Sequence, residues 1–160
     1  MNQKAYAHLN GRLLHLAINI RPDIAFAVSR FAQYTIKPNS QCWAALKRLI
    51  RYLKDTRTKG IVYGAQLNPV ITNDDAGCHI KSYTDSDWAS DISTCKSISG
   101  YLFLGAGTPI AWGSNKQLII ALFTCETEYV AASDVTREII WLRNLLAEID
   151  LSGVPAISLF

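Results

Sequence analysis

The sequence contains no C-x-x-C pair, no G-x-x-x-x-G-K-[ST] loop, no G-x-S-x-G turn, and no uncharged apolar run near the roughly 20 residues needed to cross a bilayer. These absences remove, in turn, a zinc knuckle or redox dithiol, a nucleotide-binding P-loop, a hydrolase nucleophile elbow and a membrane-spanning helix. The four cysteines, Cys42, Cys78, Cys95 and Cys125, are widely separated. An even number would suit disulfides in a secreted chain, but no signal peptide precedes them, so a reducing compartment is the expectation. Histidine is scarce: His8 and His15 fall in the front segment, and His79 precedes an acidic stretch without forming a ligand-spaced cluster. Cys125 lies near a helix start but has no catalytic partner in the pattern.

What remains is a globular composition, 49% hydrophobic and 18% charged over 160 residues, enough for one ordinary domain or a small domain with a helical appendage. The net charge of +3 permits a nucleic-acid partner without requiring one.

Residues 1–60 read as helical. The R-P-D start at Arg21 predicts a helix from Pro22 to Tyr34, with proline at a first helical position and Asp23 at the positive helix end. A second helix is expected from about Ser40 to Lys54, where Trp43, Leu46, Ile50 and Leu53 share an apolar face. Its other side carries Lys47, Arg51 and Lys54, either as phosphate contacts or as a solvated face.

Residues 61–78 are punctuated by Gly64, Pro69, Asn73-Asp74-Asp75 and Gly77, and are expected to form a turn-rich linker with at most a short strand at 61–63. Strands are expected at His79–Asp87, Gly100–Leu104 and Ile110–Trp112, the last resuming at Leu118–Leu122, in an antiparallel meander. A long helix follows from about Thr124 to Ile149. Ala132, Val135, Ile139, Leu142, Leu146 and Ile149 recur at helical spacing, and extending that stripe backward reaches Glu128. Ser152-Gly153 and Pro155 end the helix, and Ala156–Phe160 begin another strand.

Glu128 on an apolar stripe has two readings, a functional acid or an N-terminal acid serving the helix dipole, for which Glu126 is also placed. In Y-T-D-S-D-W, strand alternation puts Tyr83, Asp85 and Asp87 on one face, with Asp91 beyond the expected end. Acids are disfavoured inside strands unless exposed or employed. If the long helix crosses that face, Asp85 and Glu128 converge, and such oxygen ligands suit Mg2+ or Mn2+ better than zinc. Two ions could clamp a phosphodiester, although this generally needs more than two carboxylates. Trp88, next to the acidic strand, is the best-placed aromatic for stacking on a substrate.

Several motifs together resemble the ribonuclease H region of copia-type retrotransposon Pol polyproteins: R-P-D-I-A-F-A-V at 21–28, W-A-A-L-K-R-L-I-R-Y-L-K at 43–54, Y-T-D-S-D-W at 83–88, K-S-I-S-G-Y at 96–101, A-W-G-S-N-K-Q at 111–117, C-E-T-E-Y-V-A-A at 125–132 and W-L-R-N-L-L at 141–146. The resemblance implies an α/β, ribonuclease-H-like mixed sheet with a long packing helix over 79–160. A linker at 61–78 and the helical end of a reverse-transcriptase or connection region at 1–60 would precede it. It implies metal-dependent hydrolysis of the RNA strand of an RNA–DNA hybrid, with Asp85 and Glu128 as catalytic metal ligands and Mg2+, or Mn2+, as cofactor. Its further implications are association with the remainder of the reverse transcriptase and an intracellular setting, a cytoplasmic retroelement particle or the nucleus.

The family's remaining acids fall beyond Phe160, so the resemblance also implies a domain truncated on its C-terminal side. Neither Asp134 nor Asp150 is in a position to replace them. Cys42 stands where the family commonly has histidine, Cys95 where it has arginine, and Phe123-Thr124-Cys125 where it has small hydroxyl-bearing residues. Three readings follow: a ribonuclease H module, a non-catalytic nucleic-acid-binding or scaffold piece, and a remnant without a stable fold.

Overall fold

The computed structural model describes residues 2–63, 80–91, 93–105, 107–149 and 157–160. The chain divides into two units, Met1–Ile61 and Val62–Phe160. Expectations resting on Gly64, Pro69, Asn73–Asp75, Gly77, Cys78 and His79, and on Asp150 through Ala156, lie outside the described residues.

The first unit is helical. Helix α1, Gln3–Asn19, begins where the Asn2 side chain accepts a hydrogen bond from the Ala5 N–H at 3.2 Å. Helix α3, Ser40–Asp55, begins with the Asn39 side chain accepting from the Cys42 N–H at 2.7 Å. Both caps satisfy donors that a helix start otherwise leaves unpaired.

The single helix expected from Pro22 to Tyr34 is divided into a 3-10 turn, Pro22–Ile24, and α2, Ala25–Ala32. It stops early because the N–H groups of Tyr34 and Thr35 bond to the Phe31 and Ala32 carbonyls, tightening the chain into turns. The core gathers Tyr6, Leu13, Ala17, Ile24, Val28, Cys42 and Leu46, with Trp43, Ile50 and Leu53 packed against it. Tyr6 is fully buried and donates to the Phe31 carbonyl at 3.0 Å, and burial pushes its phenol up to about 12.

The R-P-D segment also acts as a clasp. Buried Arg21 donates through Nε and Nη2 to both oxygens of Asp23, and reaches the Thr56 carbonyl at 3.1 Å and hydroxyl at 2.8 Å. Tyr52 donates to Asp23 at 2.8 Å and lies under the guanidinium. The turn before α2 is thereby tied to the end of α3 by a planar fork that an ammonium cannot reproduce.

The second unit holds strands β1, Ile80–Asp91; β2, Lys96–Gly105; β3, Thr108–Lys116; and β4, Ile157–Leu159; helix α4, Thr124–Glu148, lies between β3 and β4. The sheet order is β3-β2-β1-β4, with an antiparallel meander through β3 and β4 parallel to β1. A parallel neighbour requires a crossover, which α4 supplies. The result is a mixed α/β fold with a four-stranded mixed sheet and one long helix, consistent with a ribonuclease-H-like fold.

Under α4, Ile80, Phe103 and Val135 form the core, joined by Tyr101, Ala111, Ile139, Leu142, Leu146 and Ile157. Gly113 faces Tyr101 across the β2–β3 ladder, where an added Cβ would sit 2.5 Å from the ring. Glycine there leaves room for the aromatic on the packed face.

Two strand expectations need correction. Residues 61–63 form no strand, and Leu118–Leu122 form an irregular segment rather than a resumption of β3. In the latter, Lys96 takes the Leu118 carbonyl and the Trp88 indole takes the Ala121 carbonyl, so side chains occupy acceptors that a ladder would need. Leu118 and Phe123 are left 88% and 70% exposed.

Arg21→Lys is expected to lower unfolding stability by about 1–3 kcal/mol, because it leaves buried acceptors short of donors. An unchanged urea midpoint would show that the clasp contributes nothing.

Candidate functional site

Alternation along β1 sends Ile80, Ser82 and Ser86 toward α4, and leaves Lys81, Tyr83, Asp85 and Asp87 exposed on the other face. The face beneath α4 has two halves. One is the apolar core already described. The other, at the acidic end of β1, is polar.

There Ser86 and Thr127 hydroxyls meet at 2.6 Å, and Thr127 also donates to the Thr124 carbonyl at 2.7 Å. Gln117 is buried and donates to the Ser99 hydroxyl at 2.8 Å and the Thr127 carbonyl at 3.0 Å. Ser99 is the cross-strand partner of Ser86, and the Ser97 hydroxyl accepts from the Ala89 N–H at 3.1 Å. These bonds satisfy groups that would be costly to bury alone.

This arrangement corrects the stripe read from sequence. The buried line of α4 runs through Thr127, Ala131 and Val135, while Glu128 is exposed. Stepping back four from half-buried Ala132 lands one residue off the contact line, because small Ala131 is the residue pressed against the sheet. Nor does α4 cross the Asp85 face: the strand residue touching Thr127 is Ser86. Asp85 and Glu128 are instead the sequence neighbours of that bonded pair, each one residue from the contact and each exposed.

The surrounding acids have separable roles. Glu126 accepts from the Leu122 N–H at 2.7 Å and so serves the helix start. Asp91 is buried and accepts from the Ser93 N–H and hydroxyl, the Thr94 hydroxyl and the Lys116 ammonium. Those hydrogen bonds, led by Lys116, hold its carboxyl well below the usual range. Asp134 pairs with Arg137 on the helix surface.

Asp85 accepts from the Ser86 N–H at 2.9 Å, whereas Glu128 and Asp87 have no hydrogen bond or ion pair among the described residues. Carboxylates are hard oxygen donors of the kind that Mg2+ and Mn2+ prefer. No cluster of three acidic, histidine or cysteine side chains that could hold a metal forms among the described residues, so the donors for a two-ion clamp are not assembled there.

Trp88 is 48% exposed, with its indole N–H bonded to the Ala121 carbonyl at 3.2 Å, leaving part of the ring beside the acidic strand open to solvent. Lys47, Arg51 and Lys54 lie exposed on α3, in the other unit. A shallow depression on α1 lined by His8, Gly11, Arg12, His15 and Leu16 also belongs to that unit and contains none of these acids. No described helix is long and apolar enough to cross a membrane.

The sequence reading missed Ser86, Ser97, Ser99, Gln117 and Thr127. Its available signal was the alternation of hydroxyls in S-Y-T-D-S and S-I-S, a pattern expected where polar side chains line one face of a strand.

No family model matches the chain, and no solved structure matches it. It is 36% identical over 151 residues to the retrovirus-related Pol polyprotein from transposon TNT 1-94 of Nicotiana tabacum, covering 94% of this chain and 11% of that one. It is 35% identical over 156 residues to the Pol polyprotein from transposon RE2 of Arabidopsis thaliana, covering 95% and 10%. A third relative, the secreted RxLR effector protein 161 of Plasmopara viticola, is 38% identical over 142 residues, which are 89% of this chain and 94% of that protein. Over most of its length the chain is homologous to a region of retrovirus-related Pol polyproteins of copia-type retrotransposons, and it spans about a tenth of the length of those two polyproteins.

Thr127→Val keeps the shape of the buried side chain but removes its hydroxyl, and is expected to cost about 1–3 kcal/mol while Thr127→Ser costs less. Chemical denaturation checks the order, and equal losses would remove the hydroxyl from the account. For Asp91 the folded pKa lies below the unfolded value of about 3.9, so its stabilising contribution is present above about pH 4 and is lost as pH falls toward the folded value. Asp91→Asn should destabilise by about 2–4 kcal/mol at neutral pH and flatten the acid limb of the stability profile.

Proposed function

We propose that the second unit is part of the ribonuclease H region of a retroelement Pol polyprotein, acting on the RNA strand of an RNA–DNA hybrid, with Asp85 and Glu128 as ligands of Mg2+ or Mn2+. In this reading the helical unit is the adjoining reverse-transcriptase end or connection, and the setting is an intracellular retroelement particle. The observation that carries it is the 2.6 Å Ser86–Thr127 hydrogen bond, which fixes the start of α4 against β1 one residue from each acid. Asp85 and Glu128 would hold a divalent ion, which would supply charge neutralisation at the phosphate and a lowered pKa for attacking water, and Trp88 offers an aromatic surface beside them.

Water-proton relaxation of Mn2+ titrated into the protein, together with cleavage of a labelled hybrid, tests the assignment. Asp85→Asn and Glu128→Gln are each expected to weaken Mn2+ binding by about tenfold, the cost of one charged ligand. Any hybrid cleavage is expected to disappear with them. Mn2+ affinity unchanged in both variants sinks the assignment.

A second reading is favoured by the finding that no group of three or more acidic, histidine or cysteine side chains that could hold a metal forms among the described residues. It is a non-catalytic nucleic-acid-binding or scaffold piece of the element. Hybrid binding without metal-dependent cleavage is its expected signature.

A further inference from the structure

The net charge of +3 conceals a division between the units. Met1–Ile61 contain eleven lysines and arginines against two aspartates, a net +9, whereas Val62–Phe160 contain five against eleven acids, a net −6. The acidic unit nevertheless shows solvent a continuous apolar run. Leu118, Ile119, Ile120, Leu122 and Phe123 are all exposed in the segment between β3 and α4, and within it Ala121 alone is buried. Single apolar residues on a surface need no explanation, but five in six successive positions do.

The run is pinned. The Lys96 ammonium donates to the Leu118 carbonyl at 2.6 Å, the Trp88 indole to the Ala121 carbonyl at 3.2 Å, and the Leu122 N–H to the Glu126 carboxylate at 2.7 Å. With Ala121 buried among them, the backbone is held at three points while the large side chains project outward. Apolar side chains left to themselves turn away from water. Holding them outward on a fixed backbone meets in advance part of the ordering cost of association.

The same bonds limit what can dock. The Leu118 and Ala121 carbonyls and the Leu122 N–H are taken, so an incoming strand finds those ladder positions occupied. Contact must then run through side chains, as when an amphipathic helix lays its apolar stripe on a surface. Charge selects the kind of helix. Glu126 touches the run at Leu122, and Glu128 stands exposed two residues along α4, within a unit of net −6. Lys96 meets the run at its other end, so the acidic rim lies beside Leu122 and Phe123. A second copy presenting the same patch would set acids against acids. Nor can cationic α3 supply the stripe from a second copy, because Trp43, Leu46, Ile50 and Leu53 are committed to its own core.

We propose that residues 118–123 form a docking surface for the apolar stripe of a lysine- or arginine-rich amphipathic helix of another protein. Leu118, Leu122 and Phe123 are its anchors, and Glu126 and Glu128 answer the partner's cations. The surface needs no metal and stands whether or not Asp85 and Glu128 hold one.

The test uses the full chain in EDTA and fluorescence anisotropy of labelled peptides about 18 residues long, five helical turns. One peptide has leucine at helical spacing and lysine elsewhere. A second replaces each lysine with glutamate, and a third keeps the composition of the first but alternates leucine with lysine so that no helical stripe forms. The first is expected to bind at least about tenfold more tightly than either of the others. Leu118→Ser, Leu122→Ser and Phe123→Ser together should weaken it more than about tenfold. Glu126→Gln with Glu128→Gln should weaken it by about threefold and reduce its dependence on salt. Ile140→Ser with Trp141→Ser, exposed farther along α4, should leave it unchanged, and circular dichroism confirms that every variant is folded.

Affinity retained in the triple serine variant overturns the run as the site. Equal binding of the glutamate peptide overturns a cationic partner, and equal binding of the alternating peptide overturns a helical one. Tighter binding to neutral phosphatidylcholine vesicles than to the first peptide, lost in the triple variant, overturns a protein partner in favour of a membrane surface. Sedimentation showing a dimer that the triple variant abolishes overturns it in favour of a second copy.

Discussion

The first turn of α4 is joined to the acidic strand by hydroxyls rather than by apolar packing. Ser86 meets Thr127, Gln117 ties the Thr127 carbonyl to Ser99, and Ser99 pairs with Ser86 across the sheet. Buried polar groups are directional, so this seam fixes register where a greasy contact would tolerate sliding. Farther along the helix, Val135, Ile139, Leu142 and Leu146 supply the non-directional part of the packing against Ile80 and Phe103. The two halves divide the work: apolar burial attaches the helix, and the polar seam sets which residues of β1 and α4 stand beside one another. Asp85 and Glu128 take their places from that registration, one residue before Ser86 and one residue after Thr127.

The same unit shows how acids of identical chemistry acquire different uses. Asp91 is enclosed by Ser93, Thr94 and Lys116 and organises the turn between β1 and β2. Glu126 caps the chain entering α4. Asp134 meets Arg137 at the surface, where an ion pair adds little stability. Removing these from consideration leaves Asp85, Asp87 and Glu128 as the solvent-facing acids next to the seam.

Much of the architecture was readable beforehand. The apolar face of α3, the three strands of the meander and the length of α4 follow from spacing and turn chemistry. The errors also have physical causes. The strand expected to resume at Leu118 has strand-like composition, but side chains of Lys96 and Trp88 hold its carbonyls. The stripe leading to Glu128 was off by one because helical spacing alone does not distinguish Ala131 from Ala132, and only contact with the sheet does. Charge segregation was present in the sequence but invisible in its sum. It emerges once the boundary at Ile61 separates a cationic helical unit from an acidic sheet unit.

Thus the sequence by itself determined most of the elements, the alternation that exposes Asp85, the kinship with Pol polyproteins and the set of acids from which a site could be drawn. These are local or compositional properties, carried by periodicity and side-chain type. The tertiary structure decided which acid is buried, which caps a helix and which faces solvent, and it replaced Glu128 by Thr127 on the contact line. That decision depends on hydrogen bonds between residues far apart in sequence, such as Ser86 with Thr127 and Lys116 with Asp91, whose partners no local pattern specifies.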